Sequence, residues 1–185
     1  MAGRKKAPVA RGGRSGGRSA TPFRLRRVTM KDLPTLVRHR HLMWSDIGGR
    51  TEQEIASHDS RYRRWAQEQM RRGRLLGLIV DAPKAGPVAS GCLWFQPDHP
   101  RPVIQEMESP YIMSMFTEPA FRRRGLATLI VKGLVEVARK KGYSRVVLHA
   151  SGQGRLVYSK LGFESTPEMR YYINEKKHRH ERRCH

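Results

Sequence analysis

The sequence predicts a single α/β domain, a mixed and mostly antiparallel sheet flanked by helices. Three observations carry this. Short apolar runs and longer helical patterns follow one another in the order β-α-α-β-β-β-α-β-α-β. Turn-forming residues separate successive runs. The chain has 185 residues, enough for one core plus tails.

Residues 1–21 are rich in Gly, Arg, Ser and Ala and cannot bury enough surface to offset ordering entropy, so they are expected to be disordered. The domain is expected over residues 22–174, with a second basic tail at 175–185. Residues 23–28 alternate and read as a first strand. Asp32 is the expected N-cap of a helix over 33–44, with Leu33, Leu36, Val37 and Trp44 on its apolar side. Thr51 and Glu54 have capping-box spacing, and the next helix carries Ile55, Tyr62, Trp65, Ala66 and Met70 at helical spacing. Its outer face bears Arg61, Arg63, Arg64, Arg71 and Arg72, read as a solvated face.

Residues 75–80 form an apolar run, hence a strand. Two prolines and a glycine at 81–87 predict a hairpin connection to a strand over 88–95. Residues 96–110 hold four prolines and predict a long loop. A strand is expected over 111–117. From 125 to 141 the pattern is helical, with Thr128, Lys132, Glu136 and Lys140 as one narrow solvent stripe and the rest buried. Residues 145–150 read as a strand, 152–161 as a short helix, and 169–173 as a last strand. No internal repeat is present.

Lysine and arginine number 37 against 16 acids, a formal charge of +21. Nine of those bases lie in residues 1–27, which contain no acid; residues 175–185 add a net three. The body therefore keeps +9. Such a surplus attracts polyanions, and non-specific binding through the N-terminal tail is expected. The two cysteines, Cys92 and Cys184, exclude a disulfide framework and a zinc finger. No apolar run is long enough to span a membrane and no secretory signal is visible, so the expected location is cytoplasmic. His178, His180, Cys184 and His185 lie in the charged tail, and no metal site is expected there.

The chemistry concentrates at Arg122-Arg123-Arg124-Gly125-Leu126-Ala127, where a strand ends, a turn follows and a helix begins. Backbone N–H groups at a helix start lack intrahelical partners, and the helix dipole favours an anion there. Gly125 and Ala127 let a phosphate approach the main chain, and three arginines add forked donors. The pattern is neither a Walker loop nor a dinucleotide fingerprint.

This segment resembles the cofactor motif of the GNAT superfamily of N-acetyltransferases, Q/R-x-x-G-x-G/A, with Arg122, Gly125 and Ala127 at its fixed positions and Pro119 upstream. Leu156-Val157-Tyr158-Ser159-Lys160-Leu161-Gly162-Phe163 resembles the family's LYEKLGF segment. The resemblance spans residues 23–173 and is strongest over 111–163.

It implies acetyl-CoA as donor, held by the main chain of Met115, Phe116 and Thr117 and, at the pyrophosphate, by the amides of Arg123, Arg124, Gly125, Leu126, Ala127 and Thr128. It also implies a sheet splayed between strands 111–117 and 145–150, and direct attack by a primary amine without a covalent enzyme intermediate. Tyr158 matches the residue that protonates the departing thiolate. Ser151 and Gly154 stand where many relatives carry asparagine and alanine; Ser151 is expected to contact the cofactor with a shorter reach. For the general base Glu108 is the first choice, with Glu106, His149 and a water chain to solvent as alternatives. Cys92, in mid-strand, is not expected to be a nucleophile. Residues 96–110 and the helical region 33–72 are expected to form the acceptor pocket, with Asp46, Asp98, Glu106 and Glu108 attracting a cationic amine, whether a small molecule or a peptide or protein amine. A monomer or homodimer is compatible with all of this. A second reading makes the chain a basic nucleic-acid- or ribosome-binding protein with an auxiliary or inactive transferase fold. Against it, Phe23 is the only aromatic near the tail, so stacking platforms are scarce there.

Overall fold

Apolar runs without polar alternation need cover on both faces, and helices on either side of one sheet supply it. The computed structural model describes residues 23–100 and 106–168. Its elements are β1 (Arg24–Arg27), α1 (Leu33–Ile47), α2 (Glu52–Arg71), β2 (Leu75–Ala82), β3 (Gly86–Pro97), β4 (Glu108–Thr117), α3 (Leu126–Lys140), β5 (Val147–Leu148) and α4 (Gly152–Lys160), with 3-10 turns at Met30–Asp32 and Pro119–Phe121. The two tails and the strand expected at 169–173 lie outside the described residues. Among the described residues, no helix is long and apolar enough to cross a membrane.

The strands lie side by side in sequence order. β1 to β4 pair antiparallel, and β5 adds parallel to β4 after the α3 crossover, giving the expected mixed, mostly antiparallel sheet. On one face α3 buries Leu126, Ile130, Val131, Leu134 and Ala138 against Leu76, Leu78, Val80 and Leu93. On the other face Leu33, Leu36 and Val37 of α1 and Tyr62 and Ala66 of α2 pack with Leu75 and Cys92. At Gly133 a Cβ would lie 2.6 Å from Leu78 Cδ1, so the missing side chain lets α3 settle directly on β2.

Several expectations change. Strand enters both ends of the loop expected over 96–110: β3 runs on to Pro97, which pairs with Glu108, and Phe95 pairs with Pro110; residues 98–100, 106 and 107 are not strand, and 101–105 lie outside the described residues. Proline is tolerated because pairing of β4 with β5 begins only at Tyr111, so Pro110 has one strand neighbour rather than two. Asp32 stands at the N-cap position of α1, as expected, but its side chain makes no cap hydrogen bond to that helix. Its carboxylate closes the preceding 3-10 turn at Thr29 and pairs with Arg26, an ion pair that holds the acid well below its usual range. The Thr51–Glu54 capping box forms as expected. The solvent face of α3 is wider than one stripe, for Leu129 is 38% exposed. The strand expected over 145–150 shrinks to Val147–Leu148.

Candidate functional site

That short fifth strand creates the site. β4 and β5 pair only at Tyr111↔Val147 and Ile112↔Leu148. Beyond these residues the strands diverge, and among the described residues β4 from Met113 to Thr117 has no strand neighbour on that side. Unpaired main-chain groups inside a cleft demand partners. Ser114 takes a left-handed conformation (φ 52°) where the β3–β4 register slips between Ser90 and Cys92. Such a bulge re-aims the main chain of a strand.

The opening is a cavity of ≈ 820 Å³. One side is residues 111–117. The other is residues 149–154 with Val157 and Tyr158 of α4. Arg40, Met43, Trp44, Asp46 and Ile47 of α1, with Gly48 and Arg50, close the third side, and Arg122 and Ala127 stand at one end. The parting expected between residues 111–117 and 145–150 is therefore present.

At that end the chain turns sharply. Arg123 has φ 62° and Gly125, the N-cap of α3, has φ 77°. A Cβ at Gly125 would meet nothing within 4 Å, so the main chain here faces open space rather than its own side chains. Leu126 is buried in the core, leaving only its backbone to face outward. Arg123 and Arg124 are exposed and Thr128 is half-buried; Arg124 lies over the Phe121 ring at 5.3 Å. Arg122 is exposed too, but it is tethered. Its Nε donates to Thr117 O at 3.0 Å, and its guanidinium pairs with Asp46. It therefore clasps the end of α1 to the end of β4.

Tyr158 lies on the cleft wall. Burial, then the neighbouring Tyr111, raises its pKa above the ordinary value, so the phenol keeps its proton at neutral pH. Its ring meets Phe163 edge-on at 5.8 Å. A Cβ at Gly154 would come within 2.8 Å of Tyr158 Cε2; the glycine found here makes room for the ring. Ser151 caps α4, its Oγ accepting from Gly154 N at 3.2 Å, and it lines the cleft.

Across the cleft Tyr111 Oη lies 2.7 Å from His149 Nδ1, and His149 Nε2 lies 3.1 Å from Glu168 Oε1. These partners assign the tautomer: Nε2 carries the proton toward the carboxylate and Nδ1 accepts from the phenol. Sequence reasoning had His149 as an alternative and missed Tyr111 and Glu168, because their convergence depends on where the strands diverge.

The structure does not bring Glu108 here. It sits at the opposite end of β4 from Thr117, roughly 30 Å along the strand. Tyr143 Oη donates to it at 2.8 Å, and Glu108 raises the Tyr143 pKa, second to burial, to about 12. Glu106 accepts from Ser144 N at 3.0 Å, and Asp98 accepts from Ser109 Oγ at 2.7 Å and pairs with Arg145. These three carboxylates tie the β3–β4 end to the segment before β5. Of the acids expected to draw a cationic amine, only Asp46 reaches the cleft, and it is engaged by Arg122. Cys92 is buried, and burial pushes its thiol up to about 12, which removes it as a nucleophile.

Residues 40–163 match the acetyltransferase (GNAT) family model. The chain belongs to the GNAT family. The protein is 28% identical over 100 residues to a glucosamine 6-phosphate N-acetyltransferase from Trypanosoma brucei brucei, a match covering 54% of this chain and 66% of that relative's length. Among solved structures, a predicted acetyltransferase with acetyl-CoA from Clostridium acetobutylicum superposes with a TM-score of 0.75 at 28% identity, over 84% of this chain and 98% of that one. A GCN5-related N-acetyltransferase from Ralstonia eutropha JMP134 gives 0.75 at 24% identity, over 82% and 98%; at that identity the likeness speaks to the fold.

Proposed function

We propose that this GNAT protein transfers the acetyl group of acetyl-CoA to a primary amine that attacks it directly. One observation carries the reading: β4 and β5 part after Ile112 and Leu148, beside a turn whose backbone at Gly125 is open. A strand edge without a neighbour and a helix start without side-chain cover both offer main-chain donors.

On this reading the amides of residues 123–128 hold the pyrophosphate, and the edge of β4 at Met115, Phe116 and Thr117 holds the pantetheine arm. When bound, acetyl-CoA supplies an activated thioester carbonyl. The protein supplies position and protons. Ser151 offers a hydroxyl to the arm. Tyr158, protonated at neutral pH, donates to the departing thiolate. His149 takes the proton of the attacking ammonium through Tyr111: the phenol oxygen accepts it while the phenol's own proton passes to Nδ1. Glu168 stabilises the imidazolium that results. This relay replaces Glu108, whose carboxylate is bound elsewhere. Such acid–base groups contribute typically 10²–10⁴-fold.

The test follows thiol release with a panel of primary amines. Turnover that falls at least tenfold in Tyr158→Phe and in His149→Gln, with the KM for acetyl-CoA unchanged, supports the assignment. Unchanged kcat in both variants would remove these residues from the chemistry.

A further inference from the structure

The third side of the cleft carries an arrangement that the transfer reaction does not use. Arg40, Met43, Trp44 and Ile47 recur at positions i, i+3, i+4 and i+7 of α1 and share one face. All four line the cavity. The Arg40 guanidinium lies over the Tyr62 ring at 4.4 Å and over Trp44 at 5.8 Å. Arg50, beyond the helix end, lies over the same Trp44 at 5.2 Å. Two guanidinium groups thus share one indole.

Among the described residues, no carboxylate lies within ion-pair distance of Arg40. Asp59 attracts it from further off, but Asp59 Oδ2 is held by His41 at 2.7 Å. Burial first, and the charge of Arg50 as a lesser cause, make the cation less favourable there than in water. A half-buried cation without a direct counterion is costly. A guanidinium held over a ring keeps its N–H donors, whose fork matches a carboxylate or phosphate.

The position selects which ligand is met. Tyr62, beneath Arg40, packs with Cys92, and Cys92 pairs with Met113 next to the Ser114 bulge. Arg40 therefore stands over the middle of β4, away from the turn at residues 122–125. That turn has its own arginine, Arg122, already bound to Asp46.

We infer that Arg40, with Arg50 and Trp44, forms an oxyanion-binding subsite for the acceptor, so that the preferred acceptor is a primary amine bearing a carboxylate or a phosphate. This rests on the transferase reading above and reverses the sequence expectation of a cleft that attracts cationic amines. Met43 and Ile47 give the acceptor's carbon skeleton an apolar wall.

The experiment compares four acceptors of matched length: an alkylamine with no second charge, and the same amine bearing a carboxylate, a phosphate or a second ammonium. Each is assayed by thiol release with the full chain, Arg40→Gln, Arg40→Lys and Arg50→Gln, and acetyl-CoA binding is measured by calorimetry on each protein. The inference expects at least tenfold higher kcat/KM for an anionic acceptor. It also expects that advantage to drop about tenfold or more in Arg40→Gln, mainly through KM, to return in part in Arg40→Lys, and to shrink in Arg50→Gln. The better of the carboxylate and the phosphate identifies the group. Preference for the neutral or dicationic amine would overturn the inference, as would an Arg40→Gln effect on acetyl-CoA affinity alone. Binding of acetyl-CoA with no turnover of any acceptor would also count against it. Failure to bind acetyl-CoA at all would remove the transferase reading itself.

Discussion

A single hydrogen atom at residue 154 bears on Tyr158, the proposed acid in this cleft. Gly154→Ala would set a methyl group within 2.8 Å of the Tyr158 ring, so the ring must move, and with it the proton that the proposed mechanism draws on. The expected outcome is a lower kcat with little change in acetyl-CoA affinity, read by steady-state kinetics beside calorimetry. Two histidines make opposite pH predictions. His39 is fully buried, 2.9 Å from Ser90 Oγ, and burial lowers its pKa to about 4. The folded state requires its neutral form, so its contribution is complete above the ordinary imidazole value and is lost as pH falls toward 4. His39→Asn should therefore destabilise less at pH 4.5 than at pH 7, by roughly 2–3 kcal/mol in urea unfolding. His41 bridges Asp59 and Glu52 at 2.7 Å each, and the bond to Asp59 is the main cause raising its pKa. Its contribution is present at low pH and disappears as pH rises through the raised value, so His41→Asn should cost more at pH 5 than at pH 9. Equal costs at both pH values would refute the pairing.

At the scale of elements, α1 holds the turn at residues 122–125, the proposed diphosphate site, at two points. Arg38 pairs with Glu118, just before the turn, and Asp46 pairs with Arg122 within it. Exposed ion pairs contribute little to stability, so the expected role is positional. Asp46→Ala should leave urea unfolding within about 0.5 kcal/mol of wild type while speeding amide hydrogen exchange over residues 117–125. Thr51→Ala, by contrast, removes the α2 cap and should cost about 1 kcal/mol.

Elements governed by local chemistry were legible in the sequence. Thr51 and Glu54 declared the cap of α2, the apolar run from Leu75 declared β2, and Arg122-x-x-Gly125-x-Ala127 declared the turn. Features set by partners far along the chain were not. Pro110 masked a strand because its tolerance depends on where β5 joins. Trp44 read as core at helical spacing, yet it lines the cleft with Arg40, since a helix stripe does not say which neighbour it will meet. Glu108 was plausible from its place before a strand; only its partner Tyr143, 35 residues on, shows it to be engaged elsewhere.

The whole molecule is a sheet covered on both faces, opened at one seam. Leu134, fully buried between α3 and the sheet, belongs to the closed part, and Leu134→Ala should destabilise by about 2–5 kcal/mol without altering specificity among acceptors. The seam is where β4 loses its parallel neighbour, and the account depends on acetyl-CoA entering it with its diphosphate on the turn beside Gly125. The most direct test is titration calorimetry with acetyl-CoA on three proteins: wild type, Gly125→Glu and Gly142→Glu. Both glycines have positive φ and open space at the Cβ position, so both substitutions carry similar backbone strain, but Gly142 follows the far end of α3. The account predicts binding to wild type and to Gly142→Glu, and at least tenfold weaker binding to Gly125→Glu. Equal binding by all three proteins, or none by wild type, would contradict it.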